Sequence, residues 1–308
     1  MAARATRATR SASRAARLTE AVATGPLGAL SHDELGVIFD GLADPLQPVV
    51  AVALSGTCLG LRTPLRAVLE VLKERHARVV ALCRKVKMSC AQLRDADELH
   101  WSSTGLTADD MVTLVMILRT NGLPWLKVLS LAHNRFGDGG MQALCEGLDR
   151  GAAPSLQDLI LNFNQFGLVG TEALAAALRR GALPKLELLS LAGNPLGNQG
   201  VAALAMPELR KRPALDGLVL SNCDINDEGV ASLFANLGKD DFKALTVLWI
   251  SQNNVTDAGM STLATAIDAG GLPKLLHDPR FDMFFLQHNH ASASAVQAVQ
   301  DALAKRSQ

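Results

Sequence analysis

Tyrosine is absent from the 308 residues, and aromatics of every kind make up only 4%. A core built around large aromatic side chains is therefore not how this chain packs. Net charge is missing too, with 30 basic residues set against 30 acidic ones. A neutral balance argues against a dedicated nucleic-acid binder, which needs a basic surface to displace counterions. No apolar run reaches the roughly 18 residues of a transmembrane helix, so no membrane span is expected. At 48% hydrophobic and 19% charged, the chain is too apolar to be wholly disordered.

The chain also lacks the usual signatures of chemistry. Its cysteines are Cys58, Cys83, Cys90, Cys145 and Cys223, odd in number and widely spaced, with no C-x-x-C. That pattern argues against a disulfide framework or a zinc site and fits reduced thiols in an intracellular protein. There is no G-x-x-x-x-G-K-[ST], no G-x-S-x-G and no H-E-x-x-H. Carboxylates look scattered, with no pair placed for acid–base work. His288-Asn289-His290 spells a nuclease-like tripeptide, and His277 and Asp278 lie nearby, but no known metal-ligand spacing joins them. No catalytic residue, cofactor or metal is expected.

What the chain has in excess is leucine, at 51 positions. Most of these leucines belong to one recurring pattern. It reads Leu126-x-x-Leu129-x-Leu131-x-x-Asn134, and returns as Leu156, Leu159, Leu161, Asn164 and as Leu186, Leu189, Leu191, Asn194. Two further copies end at Cys223 and Asn253. Six residues after each of these positions stands a glycine: Gly140, Gly170, Gly200, Gly229 and Gly259. Leu-x-Leu alternation predicts a short strand with one buried face. The asparagine has donors and an acceptor to satisfy backbone where the chain leaves the strand. The following residues, such as Gly170, Ala173, Leu174, Ala177 and Leu178, have helical spacing. Pro124, Pro154, Pro184 and Pro213 mark the loop back to the next strand. Degenerate copies at Leu99–Thr104 and Phe281–Asn289 extend the count to seven, as solenoid ends commonly vary. The last spacing is 36 residues, which places an insertion near 275–280.

This pattern resembles the leucine-rich repeat. Its length of 29 to 30 residues, with a helix in each unit, resembles the ribonuclease-inhibitor-like class. The resemblance implies an α/β fold. It would be a right-handed solenoid, a horseshoe with a parallel sheet inside and helices outside, preceded by a small helical region. It also implies a protein partner on the concave face. Strand residues beside the buried leucines would line that face, among them Ile160, Leu188, Val219, Val247, Trp249, Met283 and Phe285. An exposed apolar patch of this kind marks an interaction site, and Trp is a favoured hot-spot residue. The other reading is that terminal aromatics cover a fraying strand edge.

The region before the repeats falls into three segments. Residues 1–26 begin with Arg4, Arg7, Arg10, Arg14 and Arg17 and hold no acid before Glu20. They fit a disordered basic tail or an organelle-targeting segment. Residues 27–92 read as helical, with Ser31-x-x-Glu34 as a capping box and a second long helix running from Pro64 to about Lys87. This stretch resembles an F-box through Leu30, Glu34, Leu35, Ile38, Phe39, Leu42, Cys58, Leu61 and Arg62. Ser31 stands where the motif has Pro, Leu61 where it has Trp, and extra residues separate Leu42 from Cys58. The resemblance implies that Leu30, Leu35, Ile38, Phe39 and Leu42 dock the adaptor subunit of an SCF-type ubiquitin ligase. The alternative is a plain helical cap. Residues 62–87 hold eight basic residues against Glu70 and Glu74, which reads as a solvated helix face without aromatics for base stacking.

The domains are then 1–26, 27–92 and the repeats at 93–308. The function expected is a non-enzymatic, cytoplasmic, monomeric interaction protein. A GTPase activator resembling the Ran GTPase-activating proteins, or a simple scaffold, are the alternatives. The first lacks support from the long acidic C-terminal tail of that family and from a strongly acidic concave face.

Overall fold

The computed structural model describes residues 44–49, 52, 66–120, 123–148, 151–238, 240–275 and 286–305. The chain divides into two compact units, residues 1–83 with 89–91, and residues 84–88 with 92–308.

In the first unit the long helix α1 (Arg66–Lys85) buries Leu72, Val79, Leu82 and Cys83 along one stripe. Arg66, Lys73, Arg78 and Arg84 lie exposed on its other sides, so the basic residues form a solvated face, as the spacing predicts. His76 Nδ1 lies 2.8 Å from the Pro45 carbonyl. A short helix, α2 (Cys90–Arg94), follows. The F-box-like residues Leu30, Leu35, Ile38, Phe39 and Leu42 lie outside the described residues.

The second unit is built by one rule. Six strands of three residues form a parallel sheet in chain order: β1 (Glu98–His100), β2 (Val128–Ser130), β3 (Asp158–Ile160), β4 (Leu188–Ser190), β5 (Gly217–Val219) and β6 (Val247–Trp249). Each central residue is a leucine exposed by 2% or less. Helices connect the strands: α3 (Ala108–Arg119), α4 (Gly137–Gly147), α5 (Leu168–Arg179), α6 (Gly197–Leu204) with the short α7 (Pro207–Arg210), and α8 (Asp227–Phe234). After β6 come α9 (Asp257–Asp268) and α10 (Ala293–Ala304). Parallel neighbours need such crossovers, because no tight turn can return a chain in the same direction. The sheet stays open, and the unit is an α/β solenoid. Among the described residues no helix is long and apolar enough to cross a membrane.

The repeat asparagines hold successive turns together. Asn164 Nδ2 donates to the carbonyls of Leu131, one repeat back, at 2.9 Å and Leu161, in its own repeat, at 3.0 Å. Its Oδ1 accepts the N–H groups of Asn134 and Arg135 at 2.9 and 3.0 Å. Asn134, Asn194 and Asn253 make the corresponding bonds. Asn289 continues the ladder, donating to Ile250 and Leu286 and accepting from Val255. That places the asparagine of the seventh repeat in register, although the strand positions Met283 and Phe285 lie outside the described residues. Cys223 takes the same place through sulfur, donating to the Leu191 carbonyl at 3.4 Å and accepting from the N–H groups of Asn194 and Gly193.

A second ladder runs along the helix starts. Four residues after the asparagine, Asp138 Oδ1 accepts from Gly167 and Gly170 N–H, both at 2.8 Å. Helix α5 has no capping side chain of its own, so the preceding repeat supplies it. Asn198, Asp227 and Asp257 do the same for the segments that follow them. Burial pushes the Asp227 carboxyl up, but the Thr256 hydroxyl and the N–H groups of Thr256 and Gly259 together hold it below the usual range. The periodic glycine leaves room for this contact. A Cβ on Gly259 would lie 2.5 Å from both Asp227 Oδ1 and Val255 Cγ1.

Candidate interaction face

Strand geometry divides each repeat in two. The central leucine points to the helices, and the residues before and after it point to the open face. Register sets these residues in two rows: Glu98, Val128, Asp158, Leu188, Gly217 and Val247, then His100, Ser130, Ile160, Ser190, Val219 and Trp249. Neighbouring strands lie about 4.8 Å apart, so side chains in a row touch.

The expected apolar patch is smaller than the alternation suggests. Trp249 is 41% exposed and Val247 38%. Ile160 and Leu188 are half-buried. Val219 is only 8% exposed and does not belong to the exposed patch. It has a strand on either side, with Ser190 and Trp249 as its register partners. β6 is the last strand among the described residues, so its side chains have a register partner on one side only. Leu188 leans over the bare backbone of Gly217, where an added Cβ would fall 2.5 Å from Leu188 Cδ1. Met283 and Phe285 lie outside the described residues.

The polar part of the face is largely self-satisfied. Ser190 Oγ donates to Asn162 Oδ1 at 2.7 Å, and Ala192 N–H reaches the same oxygen at 3.0 Å. Ser102 and Ser130 pair through their hydroxyls at 3.0 Å, as do Ser221 and Ser251 at 2.9 Å.

Carboxylates are not scattered in space. Burial raises the Asp158 carboxyl above its ordinary range, and the charges of Glu187, Asp216 and Glu98 push it the same way. Asp216 is raised by burial and then by Glu187. Gln157 Nε2 donates to Glu187 Oε1 at 2.6 Å, which leaves the group's negative charge unneutralised. The face is therefore more acidic than the sequence suggests. It is acidic towards β1–β4 and at Asp216, and apolar at β6.

Two aromatic features were missed by sequence reasoning. Trp125, just after Pro124, is 67% exposed. With Asp95, Asp97, Lys127, Gln157 and Lys185 it lines an open groove of about 480 Å³ at the strand starts. At the strand ends, Phe163 stacks on His133 with ring centroids 4.4 Å apart and planes 12° from parallel. Both occupy the residue before the repeat asparagine, which is left-handed in every unit: Ser103, His133, Phe163, Gly193, Asn222, Gln252 and His288. Positive φ had no marker in the sequence, because only Gly193 among the seven is glycine.

Burial pushes Cys145 up to about 12, against the Arg180 charge, and pushes Cys223 up to about 12. Among the described residues no group of three or more His, Cys, Asp or Glu is placed to hold a metal ion. His277 and Asp278 lie outside the described residues, and His290 Nε2 sits 3.3 Å from Asn254 Oδ1.

The family described as Leucine Rich repeat matches five segments, residues 122–145, 152–175, 182–205, 218–234 and 244–264. These are leucine-rich repeats. Each matched segment carries the positions that build the ladders: Asn134, Asn164, Asn194, Cys223 and Asn253. No curated protein matches the chain. Leucine-rich repeats generally mediate contacts between proteins, and their exposed strand residues are the positions free to vary with the partner.

Proposed function

We propose that the chain is a non-catalytic protein–protein interaction protein that grips its partner on the open face of the repeat sheet. The observation that supports this most is Trp249, 41% exposed beside Val247 on a face whose serines are already bonded to neighbours. Adjoining exposed apolar side chains on one face mark an interaction site. Trp249→Ala should weaken partner binding by about 2 kcal/mol or more, with folding stability unchanged. Affinity capture of partners by both proteins, followed by calorimetric titration, reads the difference. Equal binding by the two would remove this face from the proposal.

In the finer form of the reading, the F-box-like start docks the adaptor subunit of an SCF-type ubiquitin ligase in the cytoplasm, and the sheet face holds the substrate. Support comes from the sequence alone, through Leu30, Leu35, Ile38, Phe39 and Leu42. A pull-down with the adaptor compares wild type with the double variant Ile38→Asp, Phe39→Asp. Capture should fall to background, because a buried carboxylate without a partner is strongly unfavourable in such an interface. Equal capture by both, with folding intact, sinks the ligase reading but leaves the sheet face untouched.

A further inference from the structure

We propose that Cys83 and Cys90 are a redox modification site that closes into a reversible disulfide. The local chain folds to bring them together. Helix α1 ends at Lys85, and Lys87 then takes a left-handed φ of 57°. Its N–H bonds back to the Arg84 carbonyl at 3.3 Å. This reversal turns the chain so that Cys90, the first residue of α2, faces the last turn of α1. The two sulfurs lie 3.7 Å apart in a thiol–thiol hydrogen bond. A disulfide needs about 2.05 Å, so closure asks for a shift of roughly 1.6 Å shared between two side chains. The remaining described thiols, Cys145 and Cys223, are buried inside the repeats.

The two members of the pair have different roles. Cys90 is half-buried, whereas Cys83 is 3% exposed. An oxidant therefore meets Cys90 first. With a small disulfide such as oxidised glutathione, the Cys90 thiolate attacks one sulfur, and one glutathione leaves as a thiolate. Cys83 then gives up its proton and attacks the Cys90 sulfur, and the second glutathione leaves. The net change oxidises two protein thiols, reduces one small disulfide to two thiols, and passes both protons to the departing sulfurs. Burial pushes the Cys83 thiol up to about 12, and its neighbour Cys90 adds to this. Cys83 is therefore the resolving thiol, and the 3.7 Å approach of the two sulfurs holds it against the Cys90 sulfur.

The test uses the full chain, incubated with excess oxidised glutathione in mildly alkaline buffer. Intact-mass analysis should show the loss of two hydrogens with no glutathione retained. Two of the five thiols should become unreactive. A non-reducing digest should link the peptides of Cys83 and Cys90, and dithiothreitol should restore both. Cys83→Ser should instead trap one glutathione on Cys90, and Cys90→Ser should leave Cys83 unmodified. Glutathione retained on wild-type Cys90, or a link from either residue to Cys58, would overturn the proposal.

Discussion

The interior of the repeats and their open face are built from the same strands, yet they follow different rules. Inside, the same residues return: leucine at every described strand centre, and in most turns asparagine at the bend and glycine at the helix start. Outside, Glu98, Val128, Asp158, Leu188, Gly217 and Val247 share one row without a common chemistry. The interior must fit a copy of itself, so its letters are fixed by the period. The face has no such neighbour to satisfy, and its letters are left to whatever lies against it.

The comparison breaks most visibly at the asparagine ladder. Asn164→Ala strands the N–H groups of Asn134 and Arg135, while the carbonyls of Leu131 and Leu161 each keep one amide donor, from Asn134 and Asn194. A buried unsatisfied group costs about 1–3 kcal/mol, so a loss of about 2 kcal/mol is expected in denaturant unfolding. A loss near zero would mean that water replaces the ladder. A departure from the rule inside the array sharpens the comparison. Cys223 donates through sulfur to Leu191 and Ser221 at 3.4 and 3.5 Å, longer than the amide bonds at the same place in the other repeats. Cys223→Asn should therefore stabilise by about 1 kcal/mol through shorter bonds to the same carbonyls. A destabilised variant would show that the local backbone has adjusted to sulfur.

The smallest effect belongs to the face. Asp158 has its carboxyl raised in the folded chain, so folding is opposed by its charge above that raised value and freed of the opposition below the ordinary carboxylate range. Asp158→Asn should stabilise by less than about 1 kcal/mol at neutral pH, since solvent screens these charges. The gain should shrink as the medium is acidified. Asp227 behaves in the opposite sense, because its lowered carboxyl contributes stability above its unfolded value that is lost as pH falls through the folded one. Chemical unfolding of both asparagine variants across the acid range separates the two signs.

The difference between interior and face also explains what the sequence could tell. The ladder asparagines, the helix glycines and the strand leucines were legible because a period repeats them. The acidic group was not, because its members stand one residue out of register: Asp158 to Glu187 is 29 residues where β3 to β4 is 30. The group is split between two columns, Glu98 with Asp158 and Glu187 with Asp216, the latter because β4 to β5 is itself a step of 29. Trp125 shares its column with Ser155 and Lys185, neither of them aromatic, so no pattern singled it out. Val219 was read as exposed because alternation gives the direction of a side chain but not how closely its neighbours stand.

The asparagine ladder has a direction. Each Oδ1 accepts from the repeat before it, and each Nδ2 reaches back to that repeat as well as to its own. A repeat's bend is therefore completed by the asparagine of its successor. On a ribosome, where residues emerge from first to last, every turn waits about thirty residues for its closing bonds, and truncation from the C-terminal end opens a turn that truncation from the other end leaves shut.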